Sequence, residues 1–169
     1  MAFAKEFEDL RAGSEPVKRS ELWLFVASQE TSVVSPEMFD EFILSYQEPI
    51  MRHYGLLSYG CCEDLDKKIP LLKRIPNLRR VAVTPFTDVL SCAEQLGDAY
   101  ICSWRPSPAD MVAYGHDRDR IKKTVNEAKA AFDANNCRFD VCLKDVETVQ
   151  GDVNRIRQFV EIIRRETEL

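Results

Sequence analysis

The chain has no Cys-x-x-Cys pair, no glycine-rich phosphate loop, no apolar run of membrane-spanning length and only two histidines. Each absence excludes a class of function. Without paired Cys-x-x-Cys spacing a structural zinc knuckle is not indicated. Without a Gly-rich turn between strand and helix there is neither a dinucleotide fingerprint nor a P-loop, so no nucleotide cofactor is expected. A Ser-His-Asp order of the hydrolase kind is missing as well. His53 falls late in a helical stretch and His116 just before a helix cap, and neither position suits a ligand. No stretch approaches the roughly 20 apolar residues that cross a bilayer. Residues Met1 to Glu8 carry acids where a signal peptide needs an apolar core. The sequence therefore predicts a cytoplasmic protein with no membrane partner. A basic surplus is lacking too: the net charge is −5, which argues against a nucleic-acid partner. The basic pairs Lys67-Lys68, Lys73-Arg74 and Arg79-Arg80 flank one helix without interleaved aromatics and read as a solvated face.

What is present is the composition of one globular domain: 169 residues, 45% hydrophobic and 30% charged. Six cysteines in a reducing compartment are expected to stay free. Cys61 and Cys62 are adjacent, a spacing that strains a mutual disulfide. Cys92 sits in helical context, and Cys102, Cys137 and Cys142 lie on or beside strand-like runs. Such thiols pack as small hydrophobes.

The chain alternates strand and helix. Residues 1–20 read as a short helix and linker, with Phe3, Phe7 and Leu10 at helical spacing before Gly13, Ser14 and Pro16. From 21 to 169 five apolar runs predict strands over 22–27, 56–59, 81–83, 100–102 and 139–143. Between them lie helical patterns. Ser35-Pro36-Glu37 supplies a cap, a proline for the first turn and an acid for the positive dipole end, and Pro49 is expected to kink or restart that helix. Asp64 is expected to cap the next helix, with Leu65, Ile69 and Leu72 inward. Ile121, Val125, Ala128 and Phe132 mark the inward face of a longer helix capped by Asp117. Val153, Ile156, Phe159, Val160 and Ile163 mark that of the last. Five βα repeats predict an α/β fold with a parallel sheet.

In such folds ligands collect at the carboxyl ends of strands. The stretch Gly55 to Asp64 is the richest of these ends, because an apolar run stops at Gly60 and delivers Cys61, Cys62, Glu63 and Asp64. Thiols beside a carboxylate can hold a soft metal, or supply a nucleophile and a base. The alternative is a buried Cys pair packed beside a βα turn. Lys144 and Asp145, after the fifth strand, read either as a substrate-orienting pair or as an ion pair closing the top of the sheet. Arg105 suits a carboxylate or phosphate, or else covers Trp104 as a surface arginine. Gln29, Glu30, Tyr59 and Asp88 also fall at strand ends and complete the candidate substrate contacts.

Ser35-Pro36-Glu37-Met38-Phe39, Tyr59-Gly60-Cys61-Cys62-Glu63, Ile75-Pro76-Asn77-Leu78-Arg79-Arg80 with Thr84-Pro85-Phe86, and Lys144-Asp145 occur in that order. In these stretches the chain resembles the C-terminal part of the uroporphyrinogen decarboxylase superfamily. The Gly-Cys-Cys-Glu corner is most similar to its cobalamin-dependent methyltransferase-like branch. The resemblance implies a TIM-like (β/α)8 barrel of which about five βα units are present here, since the whole fold needs roughly 250 residues. It implies methyl transfer with a corrinoid (cobalamin) on a partner protein, a zinc site drawing on Cys61, Cys62 and Cys142, and Glu63, Lys144 and Asp145 as catalytic groups. In that branch a histidine precedes the local cysteine, and Ser58 departs from the pattern. The decarboxylase's own substrate-gripping acid and arginines belong to the N-terminal part of the barrel, so decarboxylation by this chain alone is a weaker expectation. An open sheet would also need covering, which implies a homodimer or another chain supplying strands. A non-catalytic barrel fragment acting through assembly is the competing expectation.

Overall fold

Among the described residues every strand runs parallel to its neighbours, and the five strands lie side by side in chain order. The computed structural model describes residues 17–167; the helix expected around Phe3, Phe7 and Leu10 lies outside the described residues. The strands are β1 (Trp23–Val26), β2 (Leu56–Tyr59), β3 (Leu78–Val83), β4 (Ile101–Trp104) and β5 (Arg138–Val141). Right-handed crossovers that always step to the next position put every connecting helix on one face. The register agrees. Val26, Tyr59, Val81, Cys102 and Phe139 form one row; Leu24, Leu57 and Leu78 lie in the row before it, and Val83, Trp104 and Val141 in the row after it. All of these join the main apolar core.

The other face is different in kind. Trp23 and Phe25 are about half exposed. Beside them Arg80 grips Asp140 bidentately at 2.6 and 2.7 Å, and Ser103 Oγ donates to the same carboxylate at 3.0 Å. The expected parallel α/β class is therefore present. Sequence placed β3 three residues late, because Arg79-Arg80 disguises its start: Arg80 lies on the open face, where a charge finds Asp140.

The helices are α1 (36–51), α2 (Ile69–Leu72), α3 (Val89–Leu96), α4 (Pro108–Met111), α5 (Arg118–Ala134) and α6 (Asn154–Thr167). Ser35 caps α1, accepting the Met38 N–H at 3.3 Å, and Pro36 occupies its first turn. Pro49 neither ends nor restarts it; the irregularity lies upstream, where Asp40–Leu44 form a π turn. A spacing of four then keeps Met38, Phe42, Tyr46 and Ile50 on one exposed line, while Phe39, Leu44 and Met51 go inward. Asp64 accepts the Asp66 N–H at 3.0 Å and so tightens the 3-10 turn ahead of α2 rather than capping α2 itself. In α5 the expected Ile121, Val125, Ala128 and Phe132 are all buried. In α6 the inward stripe is rotated: Phe159, Ile162 and Ile163 are buried, whereas Val153, Ile156 and Val160 stay exposed. Lys68 also departs from the solvated reading. It is 3% exposed, lies over the Phe39 ring and donates to the Thr31 carbonyl at 2.9 Å. Among the described residues no helix is long and apolar enough to cross a membrane.

Candidate functional site

Gly60 sets the position of the two thiols. Its φ is +101°, and a Cβ there would come within 2.8 Å of the Ala82 Cβ and 2.5 Å of Leu65 Cδ1. Only glycine makes this turn at this distance from β3. The chain therefore leaves β2 sharply and delivers Cys61 and Cys62 over the carboxyl ends of the strands. Glu63 pins the corner from below. It is 1% exposed, and its two oxygens accept the Ser28 N–H at 2.9 Å and the Cys61 N–H at 2.6 Å. That carboxylate joins the ends of β1 and β2.

Lys144 and Asp145 reach the thiols from the end of β5. The Lys144 ammonium donates to Cys61 Sγ and lies 3.7 Å from Cys62 Sγ. Asp145 adopts the left-handed conformation (φ 57°), which short polar side chains tolerate, and accepts the Cys62 S–H at 2.7 Å. The two sulfurs are 3.6 Å apart. Burial first, then the bond to Asp145, pushes the Cys62 thiol up to about 12. The hydrogen bond to Cys61 raises Lys144 above its ordinary value. The thiols are thus unequal: Cys61 accepts from a cationic donor, whereas Cys62 donates to a carboxylate and stays neutral. At pH 8 one equivalent of iodoacetamide is expected to label Cys61 about tenfold faster than the more exposed Cys62. Peptide mapping of the first adduct checks this; equal or inverted labelling would contradict the asymmetry.

Arg105 forms the floor. It follows β4, is 5% exposed, and donates through Nη1 to the Cys61 carbonyl. Its buried Nε–H has no partner among the described residues. A buried guanidinium with a free N–H suits an anionic group brought into the cavity. These residues line a cavity of about 370 Å³, walled by Pro85, Pro106, Pro108, Ala113 and Thr148. Phe86 and Tyr114, 74% and 83% exposed, stand at its edge. Sequence reading missed these wall residues, although Pro85-Phe86 and Pro106-Ser107-Pro108 directly follow β3 and β4 and carry the signal of strand-end loops.

Of the residues singled out from sequence, Cys61, Cys62, Arg105, Lys144 and Asp145 meet in this cavity. The others do not line it. Gln29 and Glu30 are exposed on the 3-10 turn after β1. Tyr59 is fully buried on the helix side, where its hydroxyl donates to Gln47 at 2.7 Å and meets Ser28 Oγ at 3.1 Å. Asp88 caps α3, accepting the Ser91 N–H at 3.0 Å. Cys142 follows β5, and its N–H donates to the Trp104 carbonyl.

Of the zinc ligands expected from the resemblance, Cys61 and Cys62 face the cavity, and Cys142 does not line it. Among the described residues no three His, Cys, Asp or Glu side chains are placed to hold a metal ion. Lys144's ammonium already lies against Cys61 Sγ, where a second cation would be repelled. No protein-family profile matches the chain. No curated protein matches it either.

Proposed function

We propose that this chain carries a thiol-dependent group-transfer site built on part of a TIM-like barrel of the uroporphyrinogen decarboxylase superfamily. The group transferred is a methyl, brought on the corrinoid of a partner protein. The observation that carries this reading is the ammonium–thiol contact between Lys144 and Cys61 inside a cavity at the strand ends. The sequential parallel order suits a barrel segment, and in barrels that end of the strands bears the chemistry. A corrinoid supplies an electrophilic methyl group. The residues of this chain do the rest: Lys144 donates to the Cys61 sulfur and orients it, Asp145 keeps the neighbouring thiol protonated, and Arg105 receives the anionic end of a small substrate. The sulfur lone pair forms the new S–C bond, and the electrons of the broken bond stay with the carrier. The test incubates the chain with methylcobalamin and follows both its absorbance and the mass of the Cys61 peptide. Methyl appearing on Cys61, and lost in Cys61→Ser, is the expected result. Demethylation no faster than in buffer, or unchanged in Cys61→Ser, would sink the reading.

A second reading concerns assembly, and the free edges favour it. Met38, Phe42, Tyr46 and Ile50 line α1 beside β1, and Val153, Ile156 and Val160 line the start of α6 beyond β5; all are exposed. The flanking charges lean to opposite signs: Glu37 and Glu41 on α1, against Arg157, Arg164 and Arg165 on α6, which also carries Glu161 and Glu166. A second copy related by a twofold axis along the strands would bring α1 against the partner's α6 at both seams and close the ring. Light scattering is expected to give a dimer that Phe42→Arg converts to monomer. A wild-type monomer at every concentration tested would dismiss it.

A further inference from the structure

Two adjacent thiols serve no purpose that one would not serve in the reaction proposed above, and Cys62 is left without a role in it. The two sulfurs stand 3.6 Å apart, too far for a bond and close enough to form one by side-chain rotation. They face the same cavity. One touches a cation and the other a carboxylate, which is the division of labour that thiol–disulfide exchange needs. The attacking sulfur must be anionic, and the resolving thiol must lose a proton to a base at hand.

We propose that Cys61 and Cys62 form a reversible vicinal disulfide, with a low-molecular-weight disulfide as oxidant. Cys61 sulfur attacks one sulfur of the oxidant, and its S–S bond breaks. A mixed disulfide forms on Cys61, and one small thiolate leaves. Cys62 sulfur attacks Cys61 sulfur as it loses its proton; the second small thiolate departs and takes that proton up, and the first takes one from solvent. Two protein thiols are oxidised and one external disulfide is reduced to two thiols. Adjacent Cα atoms across a trans peptide are only about 3.8 Å apart, shorter than the separation relaxed disulfides adopt. The ring is therefore strained, and strained disulfides are the readily reduced ones. The product is a labile bond. Its formation removes the Cys61 sulfur from the cavity's chemistry and frees the Lys144 ammonium. That functional consequence rests on the thiol reading of the cavity, whereas the exchange itself does not.

The other cysteines give an internal control. Cys102 and Cys137 interact with each other elsewhere, at the opposite end of β4 and β5 from the cavity. The experiment equilibrates the whole chain in oxidised and reduced glutathione at fixed ratios, quenches with acid, alkylates, and maps the peptides by mass. The peptide holding Cys61 and Cys62 is expected to lose both labels together and to be lighter by two hydrogens. Reduced glutathione in excess should restore both labels. Cys62→Ser should stop at glutathione attached to Cys61, and Lys144→Gln should slow that attachment about tenfold. These outcomes need no methyl-transfer assay, so failure of the reaction proposed above would leave them standing. Retention of both labels in strongly oxidising glutathione, or pairing of Cys61 with any cysteine other than Cys62, overturns the proposal. So does glutathione that attaches first to Cys62.

Discussion

Replacing Cys61 by serine is expected to lower methyl transfer at least about a hundredfold, because a serine hydroxyl is far less nucleophilic than a thiol activated by a neighbouring cation. The neighbours should grade below it. Lys144→Met removes the ammonium that touches Cys61 Sγ and is expected to cost about ten- to hundredfold at pH 7. Lys144→Arg should recover part of the loss. Cys62→Ser keeps Cys61 and Lys144 and is expected to change the rate by less than about threefold. Initial rates of methyl loss from methylcobalamin, with the mass of the peptide holding residue 61, check the series. If Cys62→Ser were the damaging change and Cys61→Ser the mild one, the assignment of the two sulfurs would be reversed. Equal, complete loss from either would favour a site that uses both thiols together.

The parts of this arrangement that were legible in the sequence share a cause. Strand and helix periods, Gly60, the paired thiols and Lys144-Asp145 are local signals, and a parallel βα repeat turns local signals into a common rim without further information. Once β2 and β5 lie in one parallel sheet, residues 83 positions apart, Cys62 and Asp145, meet at 2.7 Å. What was not legible depends on which face a side chain takes. Tyr59 and Cys61 are two residues apart at the same strand end, yet the first turns to the helix side and the second, after the positive-φ glycine, to the cavity. Arg80 looked like half of a surface pair and instead joins Asp140 across β4. Val153 and Val160 fit the helical period of α6, but Ile162 packs inward in their place. Periodicity gives the width of a stripe more reliably than its rotation.

Glu63 is where the sequence reading and the geometry diverge most, and a stability measurement separates them. As a catalytic group it would need a free oxygen in the cavity; instead both oxygens accept backbone N–H groups, from Ser28 and Cys61. Bonds from a buried carboxylate to amides are charge-assisted and contribute roughly 1.5–3 kcal/mol each. Glutamine keeps one acceptor and turns an NH2 toward the other amide, leaving a buried donor facing a donor. Glu63→Gln is therefore expected to destabilise the chain by about 2–3 kcal/mol, read from the midpoint of urea unfolding at constant slope. Because one of those amides belongs to Cys61 itself, the loss should also loosen the β1–β2 corner and raise hydrogen exchange at Ser28 and Cys61. The rate of Cys61 alkylation should change by much less than in Lys144→Met, since the ammonium contact does not pass through Glu63. A variant of unaltered stability that nonetheless lost methyl transfer would return Glu63 to the reacting groups and would require the corner to open before it acts.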